Sequence, residues 1–188
     1  QRIQEYESLF DESTVFLVRT QGVGYTKAEE MVNHGVTGPN VRAAGVDYDV
    51  RWAHPYSVYS ELDWAPAVER SSIKGADCYD RYRVRVTEMV ESANMVLEAL
   101  ERMPGGAETH YEPGDPAIIA KAPSRAPEGT FGSHHFEDSR GESMFHIVGG
   151  GEGRGKNPYR VSIRSPMFIT IPYASKCMIG YKVADIPA

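Results

Sequence analysis

The segment from Asp77 to Met103 constrains this chain most. Its apolar side chains Tyr79, Tyr82, Val86, Met89, Ala93, Val96, Leu100 and Met103 recur at alternating spacings of three and four, which lines them up along one face of a helix. Pro104, Gly105 and Gly106 then stop the helix, because Pro lacks a backbone donor and Gly tolerates the left-handed cap. So long an apolar stripe needs a covering surface, and it predicts a core or helix-helix contact.

Around this helix the patterning is shorter. Thr26 to His34 reads as a small helix with Thr26 as its cap, Glu29 three residues on and Gly35 at its end. Gly38-Pro39 and Gly45 punctuate Thr37 to Arg51, which predicts a structured loop with one helical turn. Residues 104–130 are rich in Pro and Gly and read as a connector. Beyond them the period changes to two. Met144 to Val148 and Tyr159 to Ile163 predict a hairpin around the Gly-rich stretch Gly149 to Asn157, Phe168 to Ile171 a further strand, and Ser175 to Ala184 a terminal helix. Helices first and strands later mean an α+β fold, a long-helix core followed by a small antiparallel sheet. The expected division is a helical part over 1–103, the connector over 104–130, and a hairpin region with terminal helix over 131–188.

Charge and composition narrow the function classes. Among 188 residues, 20 Lys and Arg stand against 26 Asp and Glu, a net charge of −6, so no basic field exists to hold a polyanion and nucleic-acid binding is not expected. The hydrophobic share of 41% is that of a folded globular chain. No apolar run is long enough to span a bilayer, and Gln1 to Phe10 has no signal-peptide character. Cys78 and Cys177 belong to no metal-ligand array and suit a reducing compartment, with one long-range disulfide left open. A start on Gln1 and a finish in the apolar stretch Val183 to Ala188 lead us to expect a piece of a longer polypeptide.

Several motifs have competing readings. Gly150, Gly155 and Lys156 stand at the fixed positions of a phosphate loop, but Asn157 lacks the hydroxyl of the fourth and a strand pattern follows where a helix is needed; a hairpin loop is the better account. His134 and His135 are adjacent on a strand and point to opposite faces, a poor start for a metal site. His54 and His110 read as surface loop residues. Arg125 and Arg140 attract more interest. Arg140 precedes Gly141 at the start of a strand, where a guanidinium can be aimed into a cleft, or it is a solvated turn residue paired with Glu137 or Glu142. Asp77, Tyr79, Asp80, Arg81, Tyr82 and Arg85 are either a helix-start charge pattern with pairs such as Asp77 with Arg81, or a polar face packed on another subunit.

Taken together, local strings do more than any one motif. Gly22-Val23-Gly24, the loop Gly35-Val36-Thr37-Gly38-Pro39-Asn40-Val41-Arg42-Ala43-Ala44-Gly45, Tyr48-Asp49-Val50-Arg51, Pro55-Tyr56, Gly75-Ala76-Asp77-Cys78-Tyr79-Asp80-Arg81-Tyr82, Pro158-Tyr159-Arg160 and Ile163-Arg164-Ser165-Pro166 occur in this order. The set resembles the carboxy-terminal half of the large quinone-side subunit of complex I, the 49 kDa subunit, from about Glu5 to Ala188, most weakly over Thr109 to Gly132. That family is homologous to the large subunits of nickel-iron hydrogenases, and the ending Lys182 to Pro187 leans toward the hydrogenases.

The resemblance implies a nickel-iron hydrogenase large-subunit-like fold and a subunit of a proton-translocating NADH-quinone oxidoreductase that passes electrons to quinone from an iron-sulfur cluster on a neighbouring subunit. It implies no cofactor on this segment, NADH bound elsewhere in the assembly, and partners among the other peripheral-arm and membrane subunits. It also implies a peripheral place on the cytoplasmic side of the cell membrane, with membrane contact only through partners. The family's basic residue before Gly faces the quinone cavity, which makes Arg140 the cavity candidate, although Ser139 stands where the family usually has Pro. Asp77, Tyr79, Asp80, Arg81, Tyr82 and Arg85 remain interface candidates. Two other parents stay open: a membrane-bound energy-converting nickel-iron hydrogenase, and a non-catalytic assembly scaffold.

Overall fold

The computed structural model describes residues 2–68, 75–103, 126–151, 153 and 157–186. Helices α1 (Arg2–Asp11) and α2 (Thr14–Thr20) open the chain, the second capped by Ser13, whose Oγ accepts from the Phe16 amide at 3.4 Å. Strand β1 (Thr26–Lys27) pairs antiparallel with β2 (Gly75–Ala76). Thr26 therefore does not cap the helix that follows. Helix α3 (Ala28–Asn33) begins after Lys27 with no side-chain cap, and the Thr26 hydroxyl donates to the Ala76 carbonyl instead. Between the strands, residues 37–51 hold two helical turns in place of the single one predicted, α4 (Pro39–Ala43) and the start of α5 (Val50–Ala53).

Helix α6 (Cys78–Arg102) is about 37 Å long at the usual rise per residue. Asp77 and Asp80 form a reciprocal capping box, each carboxylate accepting from the other's amide at 3.0 Å. Tyr79 and Tyr82 pack on Phe16 of α2, and Tyr82 also on Phe10 of α1, with the Phe16 and Tyr82 rings 5.0 Å apart. From Met89 onward the predicted stripe leaves the core: Met89, Val96, Leu100 and Met103 are exposed, and the buried apolar residues of α6 are Val84, Val86 and Met95. The inward side of this half carries acids with partners. Glu88 is held by Arg42, and Glu98 accepts from the Asp63 amide. Those polar contacts set the helix's rotation against the rest of the chain.

The main core joins Met31 of α3, Val41 and Ala43 of α4, Ala76 of β2, Val84 of α6, and Tyr173 near the chain's end. Strands β3 (Phe131–Asp138), β4 (Gly141–Val148) and β5 (Arg160–Arg164) form one antiparallel sheet in that order. The β4 and β5 pairing sets Met144 opposite Arg164 and Val148 opposite Arg160, the hairpin that the alternation predicts. Strand β3 goes beyond that prediction. It turns into β4 through Ser139 and Arg140, with Asp138 opposite Gly141. The segment Phe168 to Ile171, predicted as a strand, is instead the start of helix α7 (Met167–Cys177), and the helix predicted from Ser175 onward ends at Cys177. Pro172 inside α7 does not prevent it: Ile169 and Tyr173, four apart, both face the core. A 3-10 turn follows at Val183–Asp185.

Most of the predicted connector, residues 104–125, and Gly155 and Lys156 of the phosphate-loop pattern lie outside the described residues. After that pattern comes strand β5, not a helix. Together these elements make an α+β arrangement with a small antiparallel sheet.

Candidate functional site

The β3–β4 turn, the loop bearing α4 and the first turns of α6 meet at one place. Gly38 and Gly141 make the approach possible. Gly38 has φ +79° and Gly141 φ +127°, and a Cβ on Gly38 would lie 2.3 Å from the Gly141 Cα, closer than any side chain allows. The Thr37 hydroxyl also accepts from the Glu142 amide at 3.0 Å.

Beneath this contact lies Arg42, 1% exposed. Its Nη1 stands 2.9 Å from Glu137 Oε1, 3.2 Å from Asp49 Oδ2 and 3.1 Å from the Tyr48 carbonyl, and its Nη2 is 2.7 Å from Glu88. One guanidinium thus joins β3, the α4–α5 loop and α6. Burial opposes its charge, but Glu88, Glu137 and Asp49 outweigh that and hold its pKa above the usual value. Burial pushes the Glu137 pKa up, Arg42 counteracts, and Asp49 adds to the rise. Asp49 also takes Arg51 in a forked contact of 3.0 and 2.7 Å. Sequence reading misses Arg42. The available signal is a charged residue set among Pro39, Val41, Ala43 and Ala44, which only a paired and buried side chain would tolerate.

Both acids predicted to pair with Arg140 are engaged elsewhere. Glu137 holds Arg42, and Glu142 meets His135 at 2.9 Å, Arg164 at 3.3 Å and the Tyr48 hydroxyl at 3.3 Å. The paired-turn reading of Arg140 is therefore not realised. Arg140 is exposed, and its charge acts on Arg85 of α6.

The other predicted residues divide. Asp77 and Asp80 serve the cap, and Asp77 additionally accepts from the Gly22 amide at 2.7 Å. The predicted Asp77 pair with Arg81 does not form: Arg81 donates to the carbonyls of Gly24 at 3.0 Å and Ala76 at 3.3 Å, and to Cys78 Sγ at 3.2 Å. Tyr79 donates to Asp11 at 3.1 Å, and the buried Tyr82 hydroxyl has no hydrogen-bond partner among the described residues. Arg85 donates to the Arg81 carbonyl at 3.0 Å and reaches Asn40 at 3.5 Å. Arg83 between them, by contrast, pairs with Glu7 and Asp11.

Arg81, Arg85 and Arg140 therefore have no carboxylate within 4.0 Å among the described residues. Burial lowers the Arg85 pKa, and the charges of Arg81, Arg140 and Arg42 lower it further against the pull of Glu88. Arg81 and Arg85 line a cavity of about 660 Å³ with Phe10, Phe16, Tyr82 and Met89. A second cavity of about 260 Å³ shares Asn40, Cys78 and Arg81 with the first and reaches Tyr173 and Cys177 of α7. The arrangement offers guanidinium donors beside an apolar, aromatic wall, suited to a flat ligand whose oxygens gain negative charge.

Other candidates lead elsewhere. His135 bonds to Glu142 and its ring lies 5.2 Å from that of the exposed His54; His110 and Arg125 lie outside the described residues. Among the described residues no three His, Cys, Asp or Glu side chains gather to hold a metal. Cys78 and Cys177 are free thiols. No described helix is long and apolar enough to cross a membrane.

Comparison with known proteins adds a family to this geometry. The family model for the respiratory-chain NADH dehydrogenase 49 kDa subunit matches residues 1–188. A subunit of the NADH-quinone oxidoreductase of Flavobacterium johnsoniae is 40% identical over 97% of this chain and 47% of its own length. A subunit of the F(420)H(2) dehydrogenase of Methanosarcina mazei is 36% identical over 98% of this chain and 46% of its own. Among solved structures, a chain of the membrane-bound sulfane sulfur reductase, an archaeal respiratory membrane complex, superposes with a TM-score of 0.82 at 29% identity, covering 99% of this chain and 48% of that one. The chain spans about half the length of the relatives it matches.

Proposed function

Because this chain belongs to the family of the respiratory-chain NADH dehydrogenase 49 kDa subunit, we propose that it forms part of the quinone-site subunit of a membrane-associated oxidoreductase, with Arg140, Arg85 and Arg81 as the positive wall of the quinone cavity. In this reading a neighbouring subunit's iron-sulfur cluster delivers electrons, and the reduced carrier, NADH or another, binds elsewhere in the assembly. The chain itself sits peripherally on the cytoplasmic side and meets the membrane through its partner subunits. The coupled ion transport belongs to the whole complex.

The observation that supports this reading is the group of three guanidiniums without carboxylate partners among the described residues, at the hairpin turn and the start of α6. Keeping like charges together is unfavourable unless an opposite charge arrives, and reduction of a quinone supplies one. As two electrons enter, charge builds on the quinone oxygens until two protons neutralise it. A guanidinium at hydrogen-bond distance from such an oxygen lowers the barrier most at the moment of greatest charge. The aromatic and apolar lining near Arg81 and Arg85 suits the uncharged ring. The Flavobacterium johnsoniae relative is named for quinone, and neither it, the F(420)H(2) dehydrogenase nor the sulfane sulfur reductase is named a hydrogenase, which favours quinone over the nickel-iron alternative.

The test is steady-state quinone reduction by assembled complexes carrying Arg140→Ala and Arg140→Lys, with assembly measured separately. Loss of one charge-assisted contact should lower kcat/KM about ten- to hundredfold in the Ala variant. The Lys variant should recover part of it, since charge returns without the forked geometry. Wild-type turnover in a fully assembled Ala variant would reject the cavity role.

A further inference from the structure

Arg85 bonds to the Arg81 carbonyl one turn back on α6 and reaches Asn40 at 3.5 Å, while the Arg140 backbone lies against Gly38, two residues before Asn40, so like charges from two elements converge on the start of α4 and something must hold them there. Arg140 sits in a two-residue turn on the sheet, and Arg85 on a helix. Two contacts tie the turn down near the site. One is the approach of Gly141 to Gly38, the residue that opens α4, which reaches α6 only through the packing of α4 on that helix. The other runs through Arg42, with Glu137 of β3 on one side and Glu88 of α6, three residues beyond Arg85, on the other. Glu137 Oε2 also accepts from the Val50 amide at 3.4 Å, and the Glu137 amide donates to the Tyr56 hydroxyl at 3.1 Å. Arg42 and its carboxylates are almost wholly buried, apart from the partly covered Glu88.

We infer that Arg42 is a positioning residue for the proposed quinone site: its ion pairs with Glu137 and Glu88 clamp the β3–β4 turn to α6 and hold Arg140 beside Arg85 against their repulsion. The inference deepens the quinone reading and rests on it for its catalytic meaning. Arg42 touches no reacting atom. A single guanidinium suits the task because its planar fork reaches three carboxylates from one buried position, whereas a Lys ammonium is a compact point charge that cannot present the same fork. One member of the clamp also acts on what it holds: Glu88 pulls on Arg85 and offsets part of the push from Arg81, Arg140 and Arg42. Freed of the clamp, the turn would keep its strand pairing but lose its fixed distance to α6.

The experiment uses the assembled complex carrying Glu137→Gln, which keeps the side chain's shape and removes its charge, with Arg42→Lys as a second arm and the exposed Glu101→Gln as a control. Amide hydrogen exchange over residues 137–142 should quicken about tenfold or more in both test variants, with the start of α6 and the control unchanged. Kinetically, Glu137→Gln should lower kcat/KM with the same division between KM and kcat as Arg140→Ala. In the double variant with Arg140→Ala it should add almost nothing, because the group it positions is gone. Unchanged exchange at the turn in Glu137→Gln, or kinetic losses that multiply in the double variant, would overturn the positioning role. Failure of the quinone reading looks different: Arg140→Ala would then turn over like wild type, whatever the exchange at the turn.

Discussion

Gly38 shows how much of the site hangs on single residues. Its φ of +79° is strained for any L side chain, and a Cβ there would press on the backbone of Gly141 and Arg140. Gly38→Ala should therefore cost about 1–3 kcal/mol and loosen the turn, read as a lower Tm and faster exchange at residues 140–142; an unchanged Tm would contradict the packing. Glu137 carries a pH signature with a definite sign. Burial raises its pKa, so ionised Glu137 fixes the turn through Arg42 at a cost in overall stability that is absent below its unfolded value and fully felt above its folded one. Plotted as a Tm difference between wild type and Glu137→Gln from about pH 4 to pH 8, the wild type should lose ground as pH rises through that window. A flat difference would mean that Glu137 is not held above its ordinary value. Arg140 is visible in the sequence through the Gly after it, but nothing nearby signals that its flanking acids are claimed by Arg42, Arg164 and His135. The pairings with Arg42 and Arg164 join residues far apart in the chain, and no local pattern reports them.

Among the elements, α6 is the most legible and the most instructive. Its existence and stop follow from the 3.6-residue period and from Pro104-Gly105-Gly106, yet its covered face follows the stripe only as far as Val86. Period identifies an apolar face; it does not say whether a partner lies on it. Met95→Ala should destabilise the chain by about 2–5 kcal/mol, whereas Val96→Asp, at a position 58% exposed, should leave the chain's stability within about 0.5 kcal/mol of wild type and yet prevent assembly of the complex. Thermal unfolding of the two variants reads the difference, and equal stability losses would show that the second half of α6 packs differently. The β4–β5 hairpin is readable from alternation. Helix α7 is not, because its β-branched start, Phe168 to Ile171, has strand propensity that the docking of Ile169 and Tyr173 overrides. Strand β3 hides behind His134, His135 and the acids at its end, residues that local propensity does not assign to a strand.

At the scale of the whole molecule, large apolar side chains remain at the surface on several elements: Val96, Leu97 and Leu100 of α6, Val161 and Ile163 of the sheet, and Phe168 and Ile179 around α7. An uncovered surface of this kind suits a subunit that works inside a larger assembly, as the relatives do by their descriptions. The isolated chain is expected to self-associate, seen as concentration-dependent sedimentation; a monodisperse monomer would count against that. The central claim, that the β3–β4 turn and the start of α6 face a quinone, is tested most directly by photolabelling. An assembled complex illuminated with a photoreactive quinone analogue and then digested should carry the adduct on peptides containing Arg140 and Arg81 to Arg85, and excess unlabelled quinone should abolish it. Protected labelling confined to other peptides or other subunits would contradict the account.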